Sequence, residues 1–122
     1  MVRYRIGLLA LVVACASLAW VLPAGAQQTT ARATTITVTA GKPSEFRFTL
    51  SKKTVPHGAV TFKVTNKGTL PHDFKIDGKK TKLLSPGQSQ SLKVTLKKGS
   101  NPYLCTVTGH AAAGMKGTVK GT

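Results

Sequence analysis

Tyr103-Leu-Cys-Thr-Val-Thr-Gly-His-Ala-Ala-Ala-Gly-Met115 holds one thiol, one imidazole and one thioether, at Cys105, His110 and Met115, with four residues between each and the next. A second imidazole, His72, lies upstream in Leu70-Pro-His-Asp-Phe-Lys-Ile76. A lone Cys is usually a small buried hydrophobe and a lone Met core filler. The four together, in this order and spacing, point to a metal. Four intervening residues let Cys105 and His110 reach one ion from the two ends of a tight turn. Gly109 and Gly114 precede His110 and Met115, where the backbone needs unusual dihedrals or close approach. Soft sulfur donors favour copper, and imidazole suits it. Two His and one Cys in a trigonal plane with a weak axial Met form the ligand set of a blue-copper electron-transfer site.

Outward from this stretch the chain reads as short strands. Ile36 and Val38 alternate with threonines, and Phe46, Phe48 and Leu50 with Glu45, Arg47 and Thr49. Val60, Phe62 and Val64 alternate with Thr61, Lys63 and Thr65, and Leu92, Val94 and Leu96 with Ser91, Lys93 and Thr95. A period of two with β-branched residues and one polar face predicts half-buried antiparallel strands. Turn signals separate them at Gly41-Lys-Pro43, Pro56-His-Gly58, Asn66-Lys-Gly68, Asp77-Gly78, Ser85-Pro-Gly87, Lys98-Gly99 and Asn101-Pro102. No stretch keeps a helical period. The pattern implies an all-β chain folded as a two-sheet Greek-key sandwich.

Alternation also places the ligands. His72, Phe74 and Ile76 share one parity, so His72 points with the core and Asp73 away from it. Tyr103 and Cys105 share a face, and Met115, Gly117 and Val119 face opposite to Lys116, Thr118 and Lys120. The four ligands then lie at strand ends, aimed into one end of the sandwich. Lys79, Lys80 and Lys82 read as a solvated loop, and His57 as an ordinary surface histidine in a turn.

Residues 1–26 read as a signal peptide: Arg3 and Arg5, an apolar run from Ile6 to Leu22, and the small-residue cleavage site Ala24-Gly25-Ala26. A retained membrane anchor is the alternative, although a run of about 17 residues is at the short edge of a span. Val12-Val-Ala-Cys15 is a loose lipobox, which would leave an apolar segment at the mature N-terminus. Cleavage after Ala26 leaves a flexible 27–33 and one small domain, 34–122. Cys15 departs with the leader, so Cys105 becomes the only thiol and no intramolecular disulfide can form. A free thiol in a periplasmic or extracellular setting is a liability unless buried or metal-bound.

The whole chain carries 18 basic and three acidic side chains, a formal charge of +15. Loss of Arg3 and Arg5 brings this to about +13. The acids are Glu45, Asp73 and Asp77. An exported chain meets little nucleic acid, and no stacking aromatics accompany the lysines. The charge points instead to steering toward an acidic redox partner, or to attraction by an anionic membrane surface. Solubility alone is the plainer use. A monomer is expected.

In Asn66-Lys-Gly-Thr-Leu-Pro-His-Asp-Phe74 and Tyr103-Leu-Cys-Thr-Val-Thr-Gly-His-Ala-Ala-Ala-Gly-Met-Lys-Gly117 the chain resembles the cupredoxins, the family of plastocyanin, azurin and pseudoazurin. The resemblance covers essentially all of the chain after the leader. It implies one type 1 copper ion held by His72, Cys105, His110 and axial Met115, and a role as a single-electron carrier with no enzymatic activity. It implies that the Asp73 N–H donates to the Cys105 sulfur and that the Asp73 side chain ties to Thr106. A carboxylate there would favour the cupric form. It also makes His110 the electron gate, within an apolar docking patch of Leu70, Pro71 and Ala111 to Ala113. Two departures are visible. Asp73 stands where cupredoxins commonly have Asn, and the spacers are longer than plastocyanin's between Cys and His and azurin's between His and Met. The rival readings are a copper-binding or delivery protein and a metal-free β-sandwich binding module. Zinc is disfavoured because Met is a poor ligand for it.

Overall fold

The run Thr34–Ala40 alternates buried Ile36, Val38 and Ala40 with threonines that face outward, and it forms the first strand, β1. The computed structural model describes residues 32–122 together with Trp20, Ala24 and Gly25; the rest of the expected signal peptide and residues 27–31 lie outside the described residues. Eight more strands follow: β2 (Phe48–Leu50), β3 (Thr54–Val55), β4 (Gly58–Asn66), β5 (Lys75–Ile76), β6 (Lys79–Lys80), β7 (Ser89–Leu96), β8 (Gly99–Leu104) and β9 (Lys116–Gly121). Among the described residues there is no helix.

The strands form two sheets, ordered β2-β1-β4-β7 and β3-β9-β8-β5-β6. The expected two-sheet sandwich is what the chain builds, with one correction: the sheets are mixed. β1 lies parallel to β4, with Ile36 beside Phe62 and Val38 beside Val64, and β3 lies parallel to β9. Alternation reports that one face is buried, not which way the neighbouring strand runs. The short β3, β5 and β6 hold too few residues for a period to show. Lys79 and Lys80 therefore belong to a hairpin with β5 rather than to a loop.

Two more expectations change. Glu45, Phe46 and Arg47 precede β2 instead of continuing it. Asn101-Pro102 lies inside β8, not at a turn. Asn101 is buried there, and its amide spans the turn before it, bonding Lys97 N–H and the carbonyls of Lys97 and Gly99. Pro102 is tolerated because β5 pairs only with Tyr103 and Leu104, which leaves β8 a free side at that point.

Between the sheets, Phe74 is the aromatic hub. Its ring centroid lies 5.3 Å from those of Phe48, Phe62 and Tyr103, so it touches residues from both sheets. Full burial of one such side chain contributes about 1.5–3 kcal/mol. Because Phe74 is two residues after His72, that packing also fixes the segment on which His72 is carried. A second, smaller cluster of Ala40, Cys105 and Met115, with Phe46, Phe48 and Val107 against it, closes one end of the sandwich.

Candidate metal centre

His72 is held on both sides of its backbone by Leu84: its N–H donates to the Leu84 carbonyl at 3.0 Å, and its carbonyl accepts from Leu84 N–H at 2.8 Å. Ahead of it, the buried Asn66 shapes the loop from 66 to 70. Its amide donates to the carbonyls of Leu70 and Leu84, and its side-chain oxygen accepts from Gly68 N–H, each at 2.8 Å.

Cys105 directly follows β8, and its N–H donates to the Met115 carbonyl at 3.0 Å, which closes the loop between them. Within that loop, His110 N–H donates to Val107, Ala113 N–H to Gly109 and Met115 N–H to His110. The two turns need φ of +85° at Gly109 and +116° at Gly114, values that a side chain resists. These are the positions that the sequence marked.

Three of the four expected ligands converge. His72 Nδ1 and His110 Nδ1 are 3.1 Å apart, and Cys105 Sγ is 4.0 Å from the first and 3.6 Å from the second. Among the described residues they form the one group of His, Cys or carboxylate donors able to hold an ion, with all donor atoms within 4.8 Å. Zinc's bond lengths to such donors, about 2.0 Å to imidazole and about 2.3 Å to thiolate, would in a trigonal plane set nitrogens about 3.5 Å apart and nitrogen from sulfur about 3.7 Å. The triangle is within a few tenths of an ångström of that, so a first-row ion fits it. Met115 is wholly buried in the cluster with Cys105. His57 stands apart, exposed, with Nδ1 2.7 Å from the Thr122 carbonyl.

Electrostatics follow from burial. Burial pushes the Cys105 thiol up, while N–H groups of Asp73 and Val107 that bond the sulfur pull it back. A bound cation would reverse the balance and favour thiolate. Burial, then the neighbouring His72, lowers the pKa of His110, which keeps the imidazole in the neutral form a metal requires.

Asp73 is corrected. Parity aims it away from the core, yet it is buried, because its carboxylate accepts from both Thr106 N–H and the Thr106 hydroxyl, with Lys80 Nζ at 3.8 Å. The expected tie from the Asp73 side chain to Thr106 is present.

Glu45 is the functional neighbour that the sequence reading missed. Its Oε1 is 2.7 Å from His72 Nε2, the ring nitrogen facing away from the triangle. Thr69 N–H, Leu70 N–H and the Thr69 hydroxyl also donate to this carboxylate. These bonds, led by the two backbone donors, lower its pKa to about 2. Alternation put Glu45 on the polar side of a strand, and 27 residues separate it from His72. Its rarity was the only available signal: it is one of three acids in the chain.

The family described as copper-binding proteins of the plastocyanin/azurin family matches residues 24–121. Among solved structures, the chain is similar to dithionite-reduced auracyanin from the photosynthetic bacterium Roseiflexus castenholzii, with a TM-score of 0.62 and 24% identity over 74% of this chain and 98% of that one. It is similar to auracyanin B, with a TM-score of 0.65 and 24% identity over 74% of this chain and 89% of that one. Reduced rusticyanin gives a TM-score of 0.62 and 21% identity over 72% of this chain and 78% of that one. At these identities the likeness to solved structures is one of fold. No individually curated protein matches the chain.

Proposed function

The chain belongs to the plastocyanin/azurin family of copper-binding proteins, and on that premise we propose that it is an exported blue-copper protein carrying single electrons between larger redox partners. The observation that carries this reading is the buried triangle of His72, Cys105 and His110. These three would hold one copper ion, and Met115 would supply a further, weak sulfur donor.

Bound copper supplies one-electron exchange between its cuprous and cupric states. The protein's part is to keep the donors still. The backbones that carry His72, Cys105 and His110 are tied to Leu84, Met115 and Val107. A frame tied in this way changes little between oxidation states, which favours fast transfer. With four protein donors and no open ligand position, the reading assigns no catalytic residue. His110 keeps 8% of its surface exposed and is the expected point of electron entry. On the two loops that carry the histidines, Leu70, Pro71, Ala112 and Ala113 are exposed and supply apolar docking surface. Residues 1–26 direct export to the periplasm or exterior, and the lysines steer the protein toward an acidic partner, or second, toward an anionic membrane surface.

A copper delivery protein, the rival reading, needs an exchangeable ion, whereas these donors are buried. Repeated reduction by ascorbate and reoxidation by ferricyanide in stopped flow should leave copper in the protein in the presence of bicinchoninate, a cuprous chelator. Loss of copper to the chelator at each reduction would favour delivery.

A further inference from the structure

Three consecutive residues outside the ligand set converge on it. Glu45 bonds His72 Nε2 at 2.7 Å. The ring of Phe46 stands edge-on to that of His110, with centroids 5.0 Å apart. A side-chain carbon at Gly114, the residue before Met115, would begin 3.6–3.7 Å from the guanidinium of Arg47. None of the three belongs to a strand. We propose that this segment positions the metal ligands, and that Glu45 is a positioning residue that fixes the tautomer and orientation of His72 and biases the site toward the cupric state. The bias toward Cu(II) rests on the copper reading given above; the tautomer does not.

A metal-bound histidine needs its second ring nitrogen fixed by a partner. An ionised carboxylate only accepts hydrogen bonds, so Nε2 carries the proton and Nδ1 turns its lone pair toward Cys105 and His110. A backbone carbonyl would set the same tautomer. Only a carboxylate also adds negative charge one ring away from the ion, and that charge stabilises Cu(II) more than Cu(I).

The carboxylate is built in. Thr69 and Leu70 hold it from the other side. A side-chain carbon on Gly68 would fall 2.4 Å from Glu45 Oε1 and 3.0 Å from His72 Nε2, so that position must be glycine for the pair to meet. Gly68 is itself backed by Gly41, where an added carbon would lie 2.4 Å from Gly68 Cα. In a chain with three acids, Glu45 contacts one ligand directly, and Asp73 bonds the residue that follows another.

Glu45 could instead serve only to staple the loop from 66 to 70, and the substitution Glu45→Gln separates the two roles. Glutamine keeps an oxygen for His72 and most of the packing while removing the charge. In the copper-loaded protein, Glu45→Gln should keep the visible band and lower the preference for Cu(II) over Cu(I) by about tenfold, a rise of about 59 mV in a one-electron potential. In metal-free wild type, nitrogen NMR should find the His72 proton on Nε2, and Glu45→Ala should populate both tautomers and weaken copper binding by about 10–100-fold. If Glu45→Ala does not fold, Glu45→Gln and the wild-type tautomer carry the test. An unchanged potential in Glu45→Gln with the band intact would reduce Glu45 to a staple. A wild-type proton on His72 Nδ1 would overturn the positioning role. Failure of the blue-copper reading would show separately, as a missing band in the wild type.

Discussion

The position of Met115 comes from packing with Ala40 and Cys105, and from the backbone bond that closes its loop. The proposal that it is the fourth, weak donor makes a specific prediction. Replacing it with Leu conserves volume, so packing should cost under about 1.5 kcal/mol. The cupric ion loses more than the cuprous ion when a weak thioether is removed, so the potential should rise while the visible band persists. Voltammetry of Met115→Leu beside wild type measures this, and an unchanged potential would leave Met115 as core packing. The cluster of His72, Cys105 and His110 was legible because type and spacing carry it locally. Glu45 was not, because its meaning comes from a residue far along the chain. Asp73 was half legible: parity misplaced its side chain, while likeness to the cupredoxins anticipated its bond to Thr106.

Among the elements, the segment from His72 to Ile76 depends on Phe74, which joins Phe48 and Phe62 to Tyr103 across the core. Phe74→Ala should cost about 3–5 kcal/mol, read as a lower urea midpoint of the metal-free protein. A cost below about 1 kcal/mol would mean that this hub is not cooperative with the sandwich. Strands β1, β4 and β7 were legible because each alternates over several residues. The direction of β1 against β4 was not, since parallel and antiparallel neighbours bury the same face of a strand. β2 was read too long for a different reason. Glu45 and Phe46 keep the alternation of polar and apolar side chains, but those side chains are engaged with His72 and His110 instead of a neighbouring strand.

At the scale of the whole molecule, charge governs how the protein meets others. The formal charge is +15, and two of the three acids are engaged at the metal end, which leaves Asp77 as the exposed carboxylate. A field of that kind raises encounter rates with an acidic redox protein and is screened beyond about 10 Å at 0.1 M salt. Electron transfer to such a partner should slow steeply as ionic strength rises. A flat rate would leave the lysines with solubility only. The same whole-chain view predicts an exported protein that begins near Gln27, which intact mass would show; a mass retaining Trp20 would rule out cleavage there.

The central claim is that Cys105 meets His72 and His110 at one copper ion. The most direct test is the visible absorption of Cu(II)-loaded wild type and Cys105→Ser. The wild type should show an intense charge-transfer band from the Cys105 thiolate, and the variant should lack it. A weak, tetragonal copper spectrum from the wild type, or an intense band that survives in Cys105→Ser, would contradict the account.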